Sequence, residues 1–114
     1  MSIKPLTEPA FFILTALVGE PRHGYGIVGE VDRLSAGRVR LKVGTLYGVL
    51  DRLVADGLVE LDREEVQQGR LRRYFRLTGP GGTCLADEVE RLAANVRVAG
   101  GQLATLRPNL GGAR

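Results

Sequence analysis

Apolar positions along this chain fall into helical stripes, then alternate, then return to a helical stripe. Leu6, Ala10, Ile13, Leu14 and Leu17 share one face of a first helix. Thr7 precedes that helix as an N-cap, Glu8 and Pro9 suit its opening turn, and Gly19-Glu20-Pro21 ends it. Ile27, Val28, Val31 and Leu34 predict a second helix that starts near Gly24 and stops at Gly37. Val39-Arg40-Leu41 alternates like a very short strand. Leu46, Val49, Leu50 and Leu53 then give a third helix, closed by Gly57 as a left-handed cap. After it the period changes to two: Leu58 to Asp62 and Leu71 to Leu77 read as strands around a polar tip, 64–69.

The last apolar stripe has a different repeat. Leu85, Val89, Leu92, Val96, Ala99, Leu103 and Leu106 are spaced 4, 3, 4, 3, 4 and 3 residues apart, a heptad seam. So long a helix cannot bury its stripe on a small core, so the seam is expected to form a homodimer rather than fold back within the chain. Gly100 and Gly101 each cost roughly 1 kcal/mol relative to alanine, which partner contacts must offset unless the helix bends there. The expected fold class is α+β, mainly α with a small β-hairpin wing. Residues 1–78 form a winged helix-turn-helix, 79–108 a dimerisation helix that Pro108 ends, and 109–114 a flexible tail.

Composition narrows the function. A chain of 114 residues with 44% hydrophobic positions is globular and makes one small domain, short of a typical enzyme scaffold. The net charge of +3 is modest, but its distribution is not even. Arg70, Arg72, Arg73 and Arg76 stand within seven residues that contain no acid, a local electrostatic footprint on the second strand of the hairpin. One cysteine, Cys84, allows no internal disulfide, and one histidine, His23, makes no metal site; no cofactor is expected. His23 is expected to cap the second helix and pack near Tyr25. Ser2 and Ser35 have no base arrangement near them in sequence, so nucleophilic catalysis is not expected. No signal pattern opens the chain and no apolar run approaches ~18 residues, which predicts a cytoplasmic, nucleoid-associated protein without membrane contact.

The third helix and the hairpin together carry the candidate chemistry. Opposite its apolar stripe the helix presents Thr45, Tyr47, Gly48 and Arg52, groups suited to phosphates and base edges. With Lys42 before the helix and Arg70, Arg72 and Arg73 on the hairpin, these residues predict an interface for duplex DNA. The alternative use of such a module is protein contact. A small aromatic effector would find its most suitable space between the first helix and the partner's terminal helix, bordered by Phe11, Phe12, Val96 and the Gly100-Gly101 pair; the alternative role of these phenylalanines is packing against the partner helix. Adjacent residues on a helix point about 100° apart, so the two phenylalanines are not expected to face one core.

These residues resemble a known family. Pro21-Arg22-His23-Gly24-Tyr25-Gly26-Ile27, then 44–53 (GTLYGVLDRL), Asp56-Gly57-Leu58-Val59-Glu60 and Arg72-Arg73-Tyr74-Phe75-Arg76-Leu77-Thr78 are similar to segments of PadR-family transcriptional regulators, in the same order. The resemblance runs from Leu6 to Leu92, about three quarters of the chain, and the single terminal helix resembles the short-tailed branch. It implies a homodimeric repressor on a pseudo-palindromic operator, in some members released by an aromatic or phenolic ligand. Two features depart from the family pattern. Gly79-Pro80-Gly81-Gly82 is unusually glycine-rich and predicts a hinge. No tryptophan, and no Phe or Tyr after Tyr74-Phe75, is available to stack a flat ligand between terminal helices.

Overall fold

The computed structural model describes residues 5–106. The elements run α1 (Glu8–Ala16), β1 (Arg22–His23), α2 (Gly24–Leu34), α3 (Val43–Ala55), β2 (Val59–Gln67), β3 (Arg70–Leu77) and α4 (Gly79–Ala104). The strands form one antiparallel sheet in the order β1-β3-β2. The expected end of the seam at Pro108 and the tail over 109–114 lie outside the described residues.

The helix ends follow local chemistry. The Thr7 hydroxyl accepts from the Ala10 N–H at 3.2 Å, and His23 Nδ1 accepts from the Gly26 N–H at 3.2 Å. Each side chain satisfies a donor that the first helical turn cannot. Gly37 and Gly57 both adopt φ +78°, the left-handed geometry that ends α2 and α3 at no steric cost. The stripes meet in one core: Ile13, Leu14 and Leu17 from α1, Ile27 and Val31 from α2, Leu46, Leu50 and Leu53 from α3. Val59, Phe75 and Leu85 close it from the sheet and α4. Burial of each large aliphatic side chain contributes about 1.5–3 kcal/mol, which holds α3 in a fixed attitude with its opposite side in solvent.

Several expectations are corrected. Residues 39–41 are not a strand. The Ser35 hydroxyl accepts the Val39 N–H at 2.9 Å and donates back towards its carbonyl, so that backbone has local partners and no need of a ladder. The third strand is Arg22–His23 instead, two residues paired with Phe75 and Tyr74, too short to show a period. The wing is longer than the apolar alternation indicates. Glu64, Glu65, Val66 and Gln67 pair with Arg73, Arg72, Leu71 and Arg70, and only Gln68-Gly69 turn, at φ +52° and +77°. Opposed acidic and basic pairs extend the hairpin where no core exists to mark an inner face.

The glycine-rich junction is not a hinge. Gly79-Pro80-Gly81-Gly82 is the first turn of α4, capped by Thr78 Oγ1 accepting from the Gly81 N–H at 2.9 Å. A Cβ on Gly81 would overlap the Leu58 carbonyl, so the glycine lets the helix seat directly on the turn before β2. Phe11 and Phe12 also differ from expectation. Both are half-buried against the core and they meet edge to face at 5.4 Å, because α1 packs against α2, α3 and α4 rather than against one neighbour.

Within α4 the seam divides. Leu85 is buried in the chain's own core, at 8% exposure, so it is not available to a partner. Glu88 is buried beside it and held by Arg91 at 2.5 Å. That hydrogen bond keeps the carboxyl below its ordinary pKa, with the Leu6 N–H as a smaller contributor. From Val89 onwards the apolar side chains leave the domain: Val96 is 70% and Val98 68% exposed, and Leu92 and Leu103 are also in solvent. The helix continues through Gly100 and Gly101 and ends at Ala104, so Leu106 lies in the turn beyond it. No helix among the described residues is long and apolar enough to cross a membrane.

Candidate nucleic-acid interface

Thr45, Gly48 and Arg52 lie along the solvent side of α3, and beyond the adjoining helix backbone and chain neighbours nothing comes within 4 Å of where a Gly48 Cβ would stand. Lys42 is exposed at the N-cap and gives no side-chain cap bond. This helix side is held out by the burial of Leu46, Leu50 and Leu53 behind it.

Tyr47 is exposed but stands apart from that row. Its ring leans across to the start of α2, where it meets Gly24. There α2, α3 and β3 enclose an open cleft of about 420 Å³, lined by His23, Gly24, Tyr25, Tyr47 and the run Arg70-Leu71-Arg72-Arg73. No acidic side chain lines it.

The wing's arginines are of two kinds. Arg63 and Arg76 are spent on wing acids: Arg63 on Asp62 (2.8 Å) and Glu65 (2.6 Å), Arg76 on Glu60 (2.5 Å) and Asp62 (3.4 Å). Arg73 has a looser partner in Glu64 at 3.6 Å. Arg70 and Arg72 make no ion pair among the described residues. Arg72 is half-buried, its Nη1 lies 3.4 Å from His23 Nδ1, and its guanidinium stands 6.0 Å from the Tyr25 ring centre. The Arg72 Nε is buried without a hydrogen-bond partner among the described residues.

His23 joins the wing to α2. Its ring packs edge-on against Tyr74 at 5.2 Å rather than against Tyr25, and the Arg63 guanidinium lies over the Tyr74 ring at 4.0 Å. Burial first, and then the neighbouring Arg72 charge, hold His23 below its ordinary pKa. The ring therefore stays neutral and Nδ1 remains an acceptor for the α2 cap. Sequence reasoning placed Lys42, Thr45, Gly48, Arg52, Arg70 and Arg73 in solvent on α3 and the wing, but missed His23, Gly24 and Tyr25 as cleft residues. Their adjacency to β3 arises from the β1–β3 pairing, and the one local sign was a compact His-Gly-Tyr at a helix start.

Other chemistry is sparse. No group of three or more His, Cys, Asp or Glu side chains that could hold a metal occurs among the described residues. Cys84 is half-buried, and burial together with Glu88, Asp87 and Asp56 pushes its thiol above the ordinary value. That environment disfavours the reactive thiolate.

Known proteins are similar in sequence and share this fold. Transcriptional regulator Rv3488 of Mycobacterium tuberculosis is 38% identical over 81 residues, which cover 70% of this chain and 72% of that one. A PadR family transcription regulator from Clostridium difficile has the same fold, with a TM-score of 0.72 at 22% identity over 85% of this chain and 99% of that one. PadR of Bacillus subtilis, solved in complex with operator DNA, matches with a TM-score of 0.63 at 22% identity, over 70% of this chain and 46% of that one. The model of the transcriptional regulator PadR-like family matches residues 13–87, from the core of α1 through the wing into α4. The chain therefore belongs to the PadR-like family of transcriptional regulators and is not an enzyme.

Proposed function

We propose that this protein is a homodimeric repressor that binds a pseudo-palindromic operator in duplex DNA at the nucleoid. The observation that carries the reading is the juxtaposition of α3 with the part of the wing whose arginines are not neutralised, Arg70 and Arg72. In this reading Thr45, Gly48 and Arg52 meet the major groove, with Gly48 permitting close approach, while Lys42, Arg70, Arg72 and Arg73 neutralise phosphates and Tyr47 meets the backbone beside them. Residues 1–78 would act as the DNA-binding unit and the helix from 79 as the dimerisation unit. Val89, Leu92, Val96, Ala99 and Leu103 form its contact, with Leu106 adding to it beyond the helix end. The exposure of four large apolar side chains on this stripe supports that assignment.

Release by a small aromatic effector is the second part of the proposal. Its place is beside Phe11, Phe12 and the partner's terminal helix near Val96. Both phenylalanines retain exposed surface, which supports that location. Such a ligand would act only by binding two dimer geometries unequally.

Selection from a random duplex library tests the core of this reading. Two inverted half-sites about one turn apart, ~34 Å, are the expected enrichment. No enrichment and no duplex binding at low salt would transfer the wing to a protein-contact role. Titrating planar aromatic compounds against the selected complex, with Phe11→Ala and Phe12→Ala as controls, tests the effector.

A further inference from the structure

We propose that the cleft between the start of α2, Tyr47 and β3 is a seat for one phosphate group, with Arg72 as its central ligand. This seat rests on the chemistry of the cleft walls and deepens the DNA-binding reading above.

The cleft gathers several donor-bearing residues beside Leu71 and Gly24. Arg70, Arg72 and Arg73 line one side of it, and Tyr25 and Tyr47 line the others. The first residues of α2 line it, and an eleven-residue helix presents the positive end of its dipole there. Against these groups stands no carboxylate. Arg73 has only the loose Glu64 contact at 3.6 Å, and Arg70 and Arg72 have no acidic partner among the described residues, so these cations repel one another unless an anion joins them.

Arg72 is the centre of the seat. A buried guanidinium Nε without a partner costs free energy that a single hydrogen bond would recover. Its neighbours cannot supply that bond. His23 Nδ1 is committed to the Gly26 N–H, and Tyr74 faces Arg63 and His23. Glu65, opposite Arg72 across the hairpin, is held by Arg63 and Gln67. A turn of the Arg72 side chain that brings Nε–H to the open cleft would let an entering oxygen supply it. A tetrahedral phosphate can also engage the Nη atoms and a tyrosine hydroxyl at once. Gly24 keeps the floor low, since any side chain there would push the Tyr47 ring into this space.

The same chemistry has two sources, a backbone phosphate of bound DNA and a free phosphate ester. One experiment with two arms separates them. Inorganic phosphate is titrated at constant ionic strength into isotope-labelled protein, with the Tyr25 amide and Arg72 Nε–H followed by NMR. Saturable shifts in the native protein that vanish in Arg72→Gln are expected. In the second arm, backbone phosphates of a selected duplex are replaced one at a time by uncharged methylphosphonates. A DNA source predicts one position per half-site where replacement costs roughly tenfold in affinity in the native protein and nothing further in Arg72→Gln. Saturable phosphate binding with no such position assigns the seat to a free phosphate ester. No saturable shift and no discriminating position overturns the seat, even where duplex binding itself is intact. Should the protein bind no duplex, the titration alone decides the seat, so the two readings fail separately.

Discussion

The ring of Tyr47 rests on Gly24 so closely that a Cβ on residue 24 would lie 3.0 Å from its Cζ and nearer still to its phenol oxygen. No side chain at this position leaves the tyrosine where it is. Gly24→Ala should therefore push the ring into the cleft and weaken duplex binding about tenfold, equivalent to ~1.4 kcal/mol. In a Tyr47→Ala background the same change should cost nothing further. Equal losses in both backgrounds, measured by fluorescence anisotropy, would show that Gly24 acts independently of Tyr47.

The wing's two kinds of arginine should separate in salt dependence. Replacing Arg72 and Arg73 by alanine should reduce the slope of log affinity against log salt by roughly 1 for each phosphate no longer neutralised. Arg76→Ala removes a charge already held by Glu60 and Asp62 and should change the slope far less. Equal slopes for the double variant and the native protein would take the wing out of the interface.

Two residues of one heptad pattern should behave oppositely. Leu85 fills the domain core, so Leu85→Ala should lower unfolding stability by about 2–5 kcal/mol. Val96 is in solvent on the single chain, so Val96→Glu should leave the domain folded but place an unpaired charge in the dimer contact. Sedimentation should report monomer, with loss of operator binding. A Val96→Glu protein that stays dimeric would move the contact elsewhere.

Acidification should destabilise the free protein through His23. Its pKa in the fold lies below the ordinary value of 6.5, so the unfolded chain takes up the proton first. Above that value the group is neutral in both states and contributes no pH dependence. As pH falls through and below it, stability is lost until the folded form protonates as well. Thermal unfolding between pH 8 and 5 should show this decline, reduced in His23→Asn, which retains a capping oxygen but does not titrate. An identical decline in that variant would assign it to other groups.

Much of the architecture was legible because it depends on local periodicity and capping. The stripes of α1, α2 and α3, the Thr7 and His23 caps and the left-handed Gly37 and Gly57 all follow from residues within a turn or two of one another. The Leu46, Leu50 and Leu53 stripe alone determines which side of α3 faces solvent, and hence that Thr45, Gly48 and Arg52 are presented together. Tertiary structure decided the rest. Pairing of Arg22–His23 with Phe75 and Tyr74 joins segments about fifty residues apart, and it creates the cleft in which Arg72 meets His23, Tyr25 and Tyr47. Heptad spacing could not tell buried Leu85 from exposed Val96, because the repeat records only that a face is apolar. What covers that face depends on where the domain ends, and α4 outruns it after Glu88.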